Sequence, residues 1–178
     1  MRKIYFNDIL VNPKARQEAI EIFRERDSKR GTNRPSYNDP EKLLNKMIQT
    51  WLQENAVVKT YDWLKILGDD HDYIYDYNPE SLKSEPLPDF IDNVDDTWDL
   101  KVNNYHMSAA HRFAKKSSYH NADHVLAFSV QDYQQYGTSG FYILDKNDNY
   151  ESYTLLEKTP KLTYLAEQFL EINNMFKN

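Results

Sequence analysis

The stretch from Pro88 to Val102, PDFIDNVDDTWDLKV, constrains this chain more than any other. Two short β-favouring runs, Phe90-Ile91 and Thr97 to Val102, flank a polar turn from Asn93 to Asp96, which predicts a β-hairpin. Neighbouring strand side chains point to opposite faces, so Asp99 and Lys101 share one face while Leu100 and Val102 share the other. If the hairpin brings Asp89 alongside, two carboxylates and one ammonium meet at a point. A shifted register would put Asp92 in place of Asp89.

The length of 178 residues suits a single domain, with a core at about 40–145 and an N-terminal helical arm at about 12–34. Cysteine is absent, which excludes disulfides and thiolate metal sites. MRKIYFNDIL turns polar before an apolar run develops, and no window approaches the ~18 apolar residues of a membrane span. These features predict a soluble, cytoplasmic protein without a membrane partner. The net charge of −6 is unevenly spread. Residues 1–34 hold nine Lys/Arg against five Asp/Glu, whereas residues 69–99 hold eleven Asp/Glu against Lys83. An acidic belt beside a basic arm suits a cation site next to a phosphate-gripping surface; two solvated faces of opposite sign would look the same.

Asn12-Pro13 predicts a helix start, and the following segment ends near Gly31 with Ala15, Ala19, Ile22 and Phe23 on one face. After the loop GTNRPSYN, Asp39-Pro40-Glu41 opens a second helix. Its stripe of Leu43, Leu44, Met47, Ile48, Trp51 and Leu52 is wide enough for a core element, and Glu54 lies near its end. A short helix is expected over 61–67, capped by Gly68. DYIYDYN predicts a strand at 72–77, followed by a proline-punctuated connection and the hairpin. A helix at 107–117 and a nearly continuous apolar strand at 123–130 come next. FYILD and NYESYTLL predict another hairpin, and LTYLAEQFLEINNMF a closing helix. This order predicts an α/β fold (α+β as the alternative), a central mixed β-sheet flanked by helices.

Phosphodiester cleavage needs a hard divalent ion held by carboxylate oxygens, together with a group that orients the attacking water. Asp89, Asp99 and Lys101 supply these parts, and the Leu100 carbonyl offers a further oxygen. PD followed after nine residues by D-L-K resembles the PD-(D/E)xK nuclease superfamily, which includes restriction and recombination endonucleases. The resemblance covers roughly residues 40–130 and implies a restriction-endonuclease-like core, αβββαβ. It also implies a Mg²⁺- or Mn²⁺-dependent endonuclease. Asp89 and Asp99 would be catalytic metal ligands, and Lys101 would be the catalytic residue that assists the water. Many members add a Glu from the first core helix, for which Glu41 and Glu54 are both positioned. The implied partner is nucleic acid, DNA first, with RNA left open. Two active sites for duplex cutting imply a homodimer by analogy. Arg112, Lys115 and Lys116 follow the site and are the expected phosphate contacts; Arg24, Arg26, Lys29, Arg30 and Arg34 form a second basic group.

Three other readings compete. His120, Asp123 and His124 have spacings that can bind Zn²⁺, although a turn would use the same residues. Asp69-Asp70-His71-Asp72 lacks the glycine and downstream glutamate of a calcium loop. The alternative function is a non-catalytic protein that binds nucleic acid or a protein partner on a nuclease-like fold.

Overall fold

The computed structural model describes residues 2–30, 39–68, 71–75 and 87–177. In chain order the first elements are β1 (Lys3–Tyr5), α1 (Phe6–Val11), α2 (Pro13–Arg30), α3 (Pro40–Thr60), β2 (Lys65–Ile66) and β3 (Tyr73–Tyr75). They are followed by β4 (Phe90–Ile91), β5 (Thr97–Asn103), α4 (Met107–Phe113), β6 (His124–Ser129), α5 (Val130–Tyr136), β7 (Phe141–Asp145), β8 (Tyr153–Leu155) and α6 (Pro160–Met175). The chain divides into two compact units, Met1–Leu52 with Asp69–Glu85, and Gln53–Gly68 with Pro86–Asn178.

In the first unit both long helices begin as their sequences direct. Asn12 Oδ1 accepts from Lys14 N–H at 3.0 Å, and Asp39 Oδ1 accepts from the amides of Glu41 and Lys42. Each acceptor precedes a proline that has no N–H to satisfy. Strands β1 and β3 pair antiparallel, Ile4 opposite Ile74. Ile4, Phe6, Ile9, Ala19, Ile22, Phe23, Leu44, Ile48 and Trp51 are buried. Trp51 lies against Phe6 and donates its indole N–H to Asp72 at 3.1 Å.

The second unit is built on a six-stranded sheet of order β2-β4-β5-β6-β7-β8. Only β5 and β6 run parallel, with Asp99 opposite Val125 and Lys101 opposite Ala127. A parallel pair needs a crossover, and α4 lies in that connection. One sheet face carries Phe128 and Phe141, their rings 4.6 Å apart, which pack with Phe169 of α6. On the other face Val125, Ala127, Tyr142 and Leu144 cluster with Met107, Tyr119 and Tyr150. Gly140 is required where α5 returns to β7. Its φ is +75°, and a Cβ there would lie 2.9 Å from the Ser129 carbonyl oxygen.

This is the α/β architecture that the element order predicts, with four local corrections. Residues 61–67 are not a helix: α3 runs on to Thr60, and Lys65–Ile66 pair with Ile91 and Phe90 as an edge strand. Gly68 does adopt a positive φ, +98°, but it follows a strand. The strand expected at 72–77 is observed over Tyr73–Tyr75 and pairs with β1 outside the six-stranded sheet, where β2 lies beside β4. The helix expected at 107–117 stops at Phe113 and resumes as a 3₁₀ turn, Lys116–Tyr119. The strand expected to end at 130 ends at Ser129, whose hydroxyl caps α5 by accepting from Asp132 N–H. The loop at 31–38 and the connection at 76–86 lie outside the described residues, as do Asp69 and Asp70.

Candidate active site

The hairpin closes on its own acids. Asp92 Oδ1 accepts from Val94 and Asp96 amides at 2.9 and 3.0 Å, and its Oδ2 accepts from the Trp98 indole at 2.9 Å. That commits Asp92 to the turn. The register Phe90–Trp98 and Ile91–Thr97 leaves Asp89 facing β5, where its Oδ2 accepts the Leu100 amide at 2.7 Å.

Asp99 is completely buried on the next strand. Its Oδ1 lies 3.2 Å from His120 Nδ1, which donates in that bond. Its Oδ2 lies 3.1 Å from Lys101 Nζ, yet no hydrogen bond of acceptable angle reaches this oxygen. An ion pair without good hydrogen-bond geometry leaves a buried carboxylate oxygen short of compensation. The third acid is Glu54, buried near the end of α3, whose carboxyl lies within interaction range of Asp89, as Asp89's does of Asp99. Two carboxyl groups can hydrogen-bond only with a proton between them, so the Asp89–Asp99 contact favours the protonated form of Asp89.

Asp89 shows the strain of that arrangement. Burial pushes its carboxyl up to about 6, aided by the Asp99 charge and the hydrogen bond to Asp99. The Leu100 amide and Glu54 pull the other way without cancelling the rise. Three acids face one ammonium, an arrangement short of positive charge. Among the described residues, no three His, Cys, Asp or Glu side chains are already spaced as a ligand set for a metal.

Thus the structure brings together Asp89, Asp99 and Lys101, and distinguishes the two helix acids. Glu54 reaches the cluster; Glu41 stands exposed at the start of α3, 3.4 Å from Arg16. Leu100 contributes its amide to Asp89, with its carbonyl in the strand between Asp99 and Lys101. The proposed zinc trio is split three ways. His120 contacts Asp99, Asp123 Oδ2 accepts from Thr97 N–H at 2.9 Å, and His124 bridges Asp96 and Asp145. Arg112, Lys115 and Lys116 are exposed, and Lys116 pairs with Glu151. Arg24 is also exposed; the side chains of Arg26, Lys29, Arg30 and Arg34 lie outside the described residues.

His120 was missed as a neighbour of Asp99. Its backbone is left-handed (φ +51°), as is that of Asn121 (φ +58°), and this turn sets its ring beside β5. The Asn at 121 hints at a turn, but no periodic pattern reveals where the preceding side chain lands. No protein-family model matches the chain, and no curated protein matches it in sequence. No helix among the described residues is long and apolar enough to cross a membrane.

Proposed function

We propose that this chain is a divalent-metal-dependent nuclease of the PD-(D/E)xK type that hydrolyses phosphodiester bonds, with DNA as the first substrate to test and RNA the second. The carrying observation is the Glu54–Asp89–Asp99 chain beside Lys101, with one buried Asp99 oxygen lacking a hydrogen bond. The donor set fits Mg²⁺ or Mn²⁺: it is all oxygen, anionic once deprotonated, and short of a cation. Asp89, Asp99 and Glu54 would hold the ion, with the Leu100 carbonyl as a further ligand. When bound, the ion supplies Lewis acidity and lowers the pKa of water.

The protein's own groups do the rest. Asp89, whose pKa is raised, would give up its proton as the ion binds. Lys101, held by Asp99 on the same strand face, orients the attacking water and offsets charge growing on the phosphate. His120 holds Asp99 from the opposite side of its carboxylate. We place the enzyme in the cytoplasm, as a homodimer where both strands of a duplex are cut.

The test is cleavage of a DNA and RNA panel in Mg²⁺ or Mn²⁺ against EDTA, using folded variants checked by circular dichroism. Asp99→Ala and Lys101→Ala should each lower the rate by roughly 10²–10³-fold, the usual loss for an electrostatic group in an active site. Glu54→Gln should also lower it, whereas Glu41→Gln should stay within about twofold. Cleavage that persists in both Asp99→Ala and Lys101→Ala would sink the proposal. Nucleic-acid binding without calorimetric Mg²⁺ or Mn²⁺ binding would favour the non-catalytic alternative.

A further inference from the structure

A cavity of about 330 Å³ lies one residue from the carboxylate cluster along the chain. It is lined by His111 and Arg112 at the end of α4, by Lys116 and Tyr119 of the following turn, and by Tyr150 and Glu151. Tyr119 immediately precedes His120, which touches Asp99. Burial raises the Tyr119 and Tyr150 hydroxyl pKa values, and Asp99's negative charge adds to both rises, so that charge reaches the cavity wall.

Two donors there lack acceptors. Tyr119 is 4% exposed, and its hydroxyl makes no hydrogen bond among the described residues, whereas Tyr150 donates to the Ala122 carbonyl. Arg112 has no carboxylate partner among the described residues; its guanidinium lies 4.8 Å from the centre of the Phe113 ring. Lys116 is paired with Glu151, but the side chains are 44% and 66% exposed, so exchanging that partner costs little.

The wall is braced. Tyr119 and Tyr150 pack with ring centres 4.9 Å apart, and both are buried, so neither offers an open face for a base to stack on. Asn149 and Tyr150 are both left-handed at φ +58°, a conformation a bulky side chain rarely adopts without being held there. What the cavity offers is a guanidinium, a phenol and a replaceable ammonium, the recognition chemistry of phosphate.

We propose that this cavity takes a phosphate of the nucleic-acid strand, adjacent to the one cleaved, with Arg112 and the Tyr119 hydroxyl donating to it and Lys116 leaving Glu151 to join them. The choice of ligand rests on the nuclease reading. Lys158, an exposed lysine over the Tyr133 ring that does not line the cavity, serves as the control.

The experiment is fluorescence-anisotropy binding of a short single-stranded DNA to the full chain in EDTA, across a salt series. Arg112→Gln should weaken binding roughly tenfold and reduce the salt slope by about one. Tyr119→Phe should weaken it about three- to fivefold with the slope unchanged, as loss of a neutral donor predicts. Lys158→Gln should stay within about twofold. Equal losses at Arg112 and Lys158, no effect at Tyr119, or no binding by the wild type would each overturn the proposal. If the binding pattern appears without metal-dependent cleavage, the nuclease reading fails and the cavity stands. If cleavage depends on Asp99 and Lys101 while Arg112→Gln binds normally, the cavity assignment fails and the nuclease reading stands.

Discussion

Two acid-rich clusters lie on opposite faces of the β5–β6 pair, and they handle negative charge differently. On one face Glu54, Asp89 and Asp99 lie together, and a buried Asp99 oxygen has the Lys101 ammonium 3.1 Å away but no hydrogen bond. On the other, His124 sits between Asp96 and Asp145, with both ring nitrogens bonded and its ring 4.5 Å from that of Trp98. The second cluster supplies its own cation. Burial pulls the His124 pKa down, but hydrogen bonds and charges from Asp96 and Asp145 outweigh it and raise the pKa. The first cluster has more carboxyls than cations and is sealed from water at Asp99. The chemistry of the proposed site comes from that deficit, since a solvated acid cluster would gain far less from binding an ion.

The largest expected effect follows from filling the deficit. At a free Mg²⁺ or Mn²⁺ concentration near one hundred times Kd, unfolding at pH 8 should require about 2.7 kcal/mol more than in EDTA. Below pH 6 the ion must displace the Asp89 proton, so the gain should shrink steeply towards pH 5. Asp99→Asn should remove it at both pH values. Urea titrations with and without metal provide the measurement, and a gain that is unchanged in Asp99→Asn would assign the ion elsewhere.

The next effect needs no metal. The folded-state pKa of Asp89, about 6, lies above its ordinary value of 3.8, so the folded protein holds the proton more tightly than the unfolded chain. Its contribution to stability is therefore full below the ordinary value and is lost as pH rises through about 6. Asp89→Asn remains neutral and can still donate to Asp99. In EDTA the variant should match the wild type near pH 4 and exceed it by on the order of 2 kcal/mol at pH 8. A variant less stable than the wild type at pH 8 would show that the Asp89 charge is better compensated than the geometry indicates.

The contrast was only half legible in the sequence. Period-two alternation was enough to put Asp99 and Lys101 on one face, because a strand leaves no other choice. The Asn/Asp turn fixed a register that brought Asp89 to the Leu100 amide and kept Asp92 in the turn. Glu54 and Glu41 looked alike because both lie on one 21-residue helix, and only tertiary packing distinguishes them. His120, Asp123 and His124 looked like a ligand set because one-dimensional spacing cannot show a left-handed turn sending neighbouring side chains apart. Gly68 misled in the same way: a positive φ was expected and found, but the element before it was set by pairing with β4. Ser129 with Asp132 three residues on, closed by left-handed Gly137, was a legible start and stop for α5 hidden behind an apolar run.

The smallest effect belongs to the self-compensated cluster. The raised pKa of His124 means that its stabilising contribution is full below the ordinary histidine value and fades as pH rises through the folded one. The Asp96 and Asp145 side chains are 45% and 49% exposed, so solvent screens much of the attraction. His124→Gln should therefore cost roughly 0.5 kcal/mol at pH 5.5, discounted for that exposure, and less at pH 9. Raising salt to about 1 M should erase most of the pH 5.5 difference, because exposed pairs are screened at that ionic strength. The Asp89→Asn gain at pH 8 should change far less, since burial rather than exposed charge is its main cause. Equal salt sensitivity in both variants would mean that the two faces of the sheet are governed by the same solvent-exposed electrostatics.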